Sequence, residues 1–157
     1  MSMVVIPIRG DGSCFFHAIE SALGTDKNLR ALIFSKLDCV IPETGKTYFQ
    51  TYHSEEPEIK EQYKTKPADS RMFGLVSRVL NINIFVLLRE GKKLILYPYQ
   101  AYYKNEDIAL IPQRPCVVLF FYLHGHFDLV GYKEDSTVKT LFSYNHPFIQ
   151  EILSKKG

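Results

Sequence analysis

Gly10-Asp11-Gly12-Ser13-Cys14-Phe15-Phe16-His17-Ala18-Ile19-Glu20-Ser21-Ala22-Leu23 is a turn running into a helix. Two glycines with Asp and Ser form a dense turn signal. Apolar residues at Phe15, Ala18, Ile19, Ala22 and Leu23 then follow helical spacing, and Gly24 is a natural stop. The reading places Cys14 at a helix N-terminus. The positive end of a helix favours thiolate over thiol, which a nucleophilic cysteine requires. Backbone N–H groups of the Gly-rich loop converge on the same spot and suit an oxyanion. The stretch equally reads as a Gly-rich turn before a core cysteine.

Outward from this helix, Val4–Ile8 reads as an edge strand interrupted by Pro7. Asp26 is expected to cap a second helix striped by Leu29, Leu32, Ile33 and Leu37. Residues 42–67, with Pro42, Gly45, Pro57 and Pro67, lose periodicity and read as loop with a short helix near 57–63. Asp69 or Ser70 is expected to cap a third helix carrying Met72, Phe73, Val76, Val79 and Leu80. Strand composition follows over Asn81–Leu88, with a turn at Glu90-Gly91 and a returning strand at Lys93–Tyr97. Pro98–Arg114 reads mostly as loop. Val117–Leu123 and Phe127–Tyr132 are strands around a turn at Gly125, and Val138–Phe142 is one more. Asn145 and Pro147 open a last helix striped by Phe148, Ile149, Ile152 and Leu153. Helices first and hairpin-linked strands later imply an α+β fold, a small and mostly antiparallel sheet flanked by helices.

The chain has 157 residues, the size of a single domain over 1–157. Its formal net charge of +2 is too even for a protein whose main task is coating nucleic acid. The eight-residue apolar run Cys116–Leu123 is far too short to span a bilayer, so no membrane partner is expected. The N-terminus lacks the basic start and long apolar stretch of a signal peptide. Three cysteines, Cys14, Cys39 and Cys116, at irregular spacing argue against a disulfide scaffold and for a reducing, cytoplasmic location. Cys39 and Cys116 sit among apolar residues and read as inert core thiols.

The second chemical constellation is His124-Gly125-His126-Phe127-Asp128-Leu129-Val130. Strand alternation places His126 and Asp128 on one face and Phe127 and Leu129 on the other. A carboxylate beside a histidine fixes its tautomer and supports the imidazolium formed when it takes a proton from a thiol. A surface strand facing water is the plainer reading. A metal reading would gather His124, His126 and Asp128 with Cys14 or His17, but Gly125 turns the chain between the two histidines, and no metal or other cofactor is expected. His17, one turn from Cys14, reads as partly exposed or packed locally, and His53 and His146 show no partner.

Together the two constellations resemble a known family. Asp11-Gly12-Ser13-Cys14-Phe15-Phe16-His17-Ala18-Ile19 resembles the Asp-Gly-x-Cys-aromatic/Leu-Phe-x-Ala block of the ovarian tumour (OTU) family of cysteine proteases, a papain-like fold. His126-Phe127-Asp128-Leu129-Val130 resembles its late His-aromatic-Asp/Asn-x-Val block, and Arg71–Leu88 its middle helix-then-strand segment. The resemblance implies Cys14 as nucleophile, His126 as general base, Asp128 as its orienter and Asp11 as a shaper of the oxyanion hole. It implies the amides of Gly12, Ser13 and Cys14 as anion donors and a narrow groove, for which Phe15, Phe127 and Tyr132 are candidate walls, each equally readable as core. It implies a metal-free thiol isopeptidase that cuts after the C-terminal Gly-Gly of ubiquitin or polyubiquitin, or of a ubiquitin-like modifier. A monomer is expected. A compact domain of this kind is similar to viral and bacterial members, which would act in a host cytosol. The alternatives are a ubiquitin-like-protein binding module without turnover, and a metal- or nucleotide-binding domain. The chain departs from the family pattern in having no Trp, and Lys66-Pro67-Ala68-Asp69-Ser70 stands where many members carry Trp-Gly.

Overall fold

A computed structural model describes residues 2–96 and 111–154. Most of the expected Pro98–Arg114 loop, and Tyr97, lie outside the described residues. The elements run β1 (Met3–Ile6), α1 (Cys14–Leu23), α2 (Leu29–Lys36), β2 (Val40–Ile41), β3 (Lys46–Thr47), α3 (Tyr48–His53) and α4 (Ile59–Thr65). A 3₁₀ turn at Ser70–Met72 leads into α5 (Phe73–Leu80). Then come β4 (Asn83–Glu90), β5 (Lys93–Leu96), β6 (Cys116–Phe121), β7 (Phe127–Glu134), β8 (Thr137–Lys139) and α6 (Pro147–Ser154).

The strand order is β1-β7-β6-β4-β5, with β8 also on β7. Pairing is antiparallel except between β4 and β6, which run parallel in the register Asn83↔Cys116 to Leu88↔Phe121. The α+β expectation holds, with that one parallel pair inside a mostly antiparallel sheet. Alternation sorts the central strands onto two faces. Ile84, Val86, Val117, Leu119, Phe127 and Leu129 face a core shared with α1, α2, α4 and α5. Phe85, Leu87, Val118, Phe120 and Val130 face a second core closed by Phe142 and the α6 residues Phe148, Ile149 and Ile152. Strands buried on both faces read as continuous apolar runs, which is why β4 and β6 are so apolar.

Helix α1 ends as expected: Gly24 is left-handed at φ 67°, and its N–H reaches the Glu20 and Ser21 carbonyls. The second helix begins later than expected. Asn28, not Asp26, is its cap, accepting from the Ala31 N–H. Asp26 stands two residues before the cap, away from the position whose side chain meets the N2 or N3 amide. The segment 42–67 is far more ordered than its composition suggests. It holds β3, the returning strand of a hairpin with β2, then α4, and a helix α3 started by a capping box between Thr47 and Gln50. Asp69 caps the 3₁₀ turn through the Arg71 N–H.

Burial anchors α3 on α4 at one point. His53 is 2% exposed and lies 2.6 Å from the Tyr63 hydroxyl. Burial pushes the His53 imidazole down from its usual range, and Glu56 only partly opposes this. The unfolded chain therefore binds a proton that the folded chain resists. Stability is full above about pH 6.5, the unfolded histidine value, and falls as pH drops through it. Urea unfolding at pH 7.5 and pH 5 should show a larger acid-induced loss in the wild type than in His53→Gln. Equal losses would mean that His53 is not the group responsible.

Candidate functional site

The first residue of α1 is Cys14, 5% exposed. Its Sγ accepts the Phe127 N–H at 3.4 Å, so the start of α1 sits against the start of β7. Ser13, the residue before the helix, supplies no side-chain cap. The first turn of a helix carries amides without helical partners, and here the side chains leave them free of acidic residues.

His126 stands at the other end of this contact, just before β7. Its Nε2 donates to Asp128 Oδ1 at 2.7 Å. The Ile8 N–H donates to the same oxygen at 2.8 Å, tying the carboxylate to the lead-in of the Gly10–Ser13 loop. The Tyr122 phenol is raised above its usual range, by burial first and then by Asp128. With its proton on Nε2, His126 keeps Nδ1 as the basic nitrogen. Gly10 packs against that edge: a Cβ there would lie 3.6 Å from Nδ1. The turn over Tyr122–His126 is closed by two backbone bonds, and the rings of Tyr122 and His126 lie 5.7 Å apart. His124 lies in this turn, its ring parallel to that of His126 at 6.2 Å. Among the described residues no three His, Cys, Asp or Glu side chains are grouped to hold a metal ion.

Asp11 accepts the Ser13 N–H at 3.0 Å, an Asx turn in which a carboxylate bonds the amide two residues on. That bond, more than the nearby His17 and Arg9, holds the Asp11 carboxyl below the usual range. Asp11 Oδ2 lies 3.3 Å from His17 Nε2 and 3.6 Å from Arg9 Nε. His17 in turn donates through Nδ1 to Glu20 Oε1 at 3.0 Å, local packing as expected.

Four sequence expectations need correction. The Ser13 amide is not free for an anion, because Asp11 occupies it. Phe15 and Phe127 are 1% exposed and cannot wall a groove; they pack on each other at 5.3 Å and on Phe73. Tyr132 shares a face with His126 but lies about 20 Å further along β7 at the usual rise per residue. There it stacks on Phe148 in the second core. Cys39 is exposed rather than buried, whereas Cys116 is buried and its thiol is raised by that burial. Sequence reasoning missed that Tyr122 and Gly10 lie against His126. Their roles depend on contacts between distant segments, which no local pattern encodes.

Neither a comparison with protein-family models nor one with curated proteins finds a match. Solved structures do match in fold. An OTU domain in complex with ubiquitin superposes with a TM-score of 0.63 at 19% identity, covering 98% of this chain and 81% of that one. The OTUD1 OTU domain gives 0.57 at 17% identity over 82% of this chain and 85% of that one. The Hazara virus OTU bound to ubiquitin gives 0.53 at 15% identity over 84% and 82%. The chain has the fold of an OTU domain. Among the described residues no helix is long and apolar enough to cross a membrane.

Because Asp128 carries the Ile8 amide as well as His126, its removal should be felt in stability. Asp128→Ala leaves a part-buried N–H without its acceptor, at a cost of about 1–3 kcal/mol. Asp128→Asn keeps an oxygen there and should cost less. Chemical unfolding of the two variants checks this; equal stabilities would show that the Ile8 bond contributes nothing.

Proposed function

We propose that this protein is a deubiquitinating thiol isopeptidase acting through Cys14, His126 and Asp128. The observation that carries the reading is the meeting of two distant segments: Asp128 orients His126, and the amide beside His126 rests on the Cys14 sulfur. The OTU fold, shared with structures that hold ubiquitin, supports the substrate class. One domain over 1–157 would then carry the whole site, as a monomer in the cytosol, or in a host cytosol.

In the proposed reaction His126 takes the Cys14 proton at Nδ1, and Asp128 stabilises the imidazolium through Nε2. The thiolate attacks the carbonyl carbon of the substrate's terminal glycine. Negative charge develops on the carbonyl oxygen, where the Cys14 and Gly12 amides at the mouth of α1 would receive it. His126 then returns its proton to the departing lysine amine. Water, deprotonated by His126, hydrolyses the thioester and frees the thiol. Asp11 holds the loop in shape by its Asx turn. No metal or cofactor enters any step.

The 5% exposure of Cys14 and the engaged Ser13 amide favour a second reading, a ubiquitin-like-protein binding module without turnover. A ubiquitin-like modifier in place of ubiquitin is a variant of the first reading.

Intact mass after mixing the protein with ubiquitin carrying a C-terminal electrophile separates these readings. A one-to-one adduct is expected with the wild type and none with Cys14→Ala, which should still bind ubiquitin. Reaction with a modifier homologue alone would change the substrate and keep the chemistry. Binding without reaction would favour the module. In cleavage of ubiquitin dimers, Cys14→Ala should be inactive and His126→Ala should lose about 10²–10⁴-fold. Asp128→Ala should lose less, since it orients and does not react.

A further inference from the structure

Arg30, in the first turn of α2, makes four side-chain hydrogen bonds, all to main-chain carbonyls. Nη1 donates to Gln62 O and Tyr63 O, each at 3.0 Å. Nη2 donates to Lys66 O at 2.7 Å and to Gly12 O at 3.1 Å. The guanidinium carbon sits 4.5 Å above the Phe16 ring. Three of the four carbonyls belong to the C-terminal end of α4, where the dipole is negative; Gln62 O also accepts the Lys66 N–H. The fourth belongs to the loop before Cys14. One planar fork thus joins that loop to the segment after α4, a task for which a lysine ammonium lacks the geometry.

The loop is shaped to meet this fork. Gly12 has φ 84°, a backbone conformation that glycine adopts without strain. Pro67 closes over it, 3.9 Å from where a Cβ would be. The Pro67 carbonyl is itself held by Gln62 Nε2 at 2.9 Å. Gln62 also reaches Asp69, which pairs with Arg71, so the segment facing Gly12 is braced from behind. A peptide unit is planar and trans. Pinning the Gly12 carbonyl therefore sets the direction of the Ser13 N–H on the opposite side, and with it the entry into α1.

We propose that Arg30 is a positioning residue for acyl transfer at Cys14: it fixes the Gly12–Ser13 peptide against the α4–Pro67 segment and so holds the flanking Gly12 and Cys14 amides in place for the developing oxyanion. It does not touch the substrate. The inference rests on the isopeptidase reading and deepens it. A merely structural role, joining α2 to α4, would need only the bonds to Gln62, Tyr63 and Lys66.

The test compares wild type with Arg30→Lys, which keeps the charge and loses the fork. Three quantities are read: hydrolysis of a fluorogenic amide of the ubiquitin C-terminus, alkylation of Cys14 by iodoacetamide, and amide hydrogen exchange over residues 11–15 and 63–68. Hydrolysis passes through an oxyanion, whereas alkylation does not. The expected result is a fall in kcat of about tenfold or more, with KM changed by less than about threefold. Alkylation of Cys14 should stay within about twofold of wild type, because the thiol itself is untouched. Exchange should rise in both segments together. An unchanged kcat, a loss confined to KM, or an equal loss in alkylation would overturn the proposal. If Arg30→Lys fails to fold, Gly12→Ala keeps the α4 bonds and strains only the clamped peptide. It should reproduce the selective loss of kcat, and an unchanged kcat there would overturn the proposal too. A wild type without hydrolysis would sink the isopeptidase reading. The exchange measurement would still decide whether Arg30 clamps the loop.

Discussion

The burial of Phe127 is the constraint on which the rest depends. Its ring is 1% exposed, wedged among Phe15, Phe73 and Phe121 with centroid distances of 5.3, 5.9 and 4.9 Å. Aromatic pairs of this kind contribute about 0.5–1.5 kcal/mol each beyond the area they bury. Side chains alternate along a strand, so burying Phe127 against α1 leaves His126 and Asp128 no choice of face. A slip of one residue would bury a histidine and a carboxylate in an apolar core, which is why the register is strongly specified. The same strand start presents its amide to the Cys14 sulfur. Core packing and the meeting of the two chemical segments are thus one event.

The polar groups of the site are tied to main chain as well as to one another. Asp128 takes the Ile8 amide, Asp11 the Ser13 amide and Glu20 the Leu29 amide, while Arg30 spans four carbonyls. Exposed ion pairs on long side chains are worth little and are screened by salt. Charged groups bonded to backbone in part-buried positions hold their partners better. Asp128 combines both duties, since one oxygen aligns His126 and fastens the lead-in of the opposing loop. In the proposed mechanism, stability and function are coupled at that residue.

Much of this was legible because each strong signal was local. The Gly-rich turn, the apolar stripe through Leu23 and the stop at Gly24 lie in one continuous stretch, and α1 has those bounds. The alternation around Phe127 placed His126 and Asp128 on one face, and they pair at 2.7 Å. What stayed hidden was either short or non-local. Helix α3 has six residues and one buried side chain, His53, so its capping box was masked by neighbouring Pro and Gly. The parallel pairing of β4 with β6 depends on a crossover, which strand composition does not encode. For Phe15 and Phe127 the sequence left groove wall and core equally open, because an aromatic beside a chemical residue looks the same in sequence whether it faces substrate or core. Arg30 sits at an exposed-looking helix position, and only the folded chain brings four carbonyls to it.

The central claim is that Cys14 is an activated nucleophile despite its burial. The chain carries its own control: Cys39 is exposed and remote in role, whereas Cys14 is 5% exposed. Accessibility alone would let a small alkylating agent reach Cys39 first. Limiting iodoacetamide at neutral pH, followed by peptide mass mapping, reads the order directly. The account predicts that Cys14 is modified before Cys39, and that His126→Ala reverses the order. Modification of Cys39 first in the wild type, with Cys14 untouched, would contradict it.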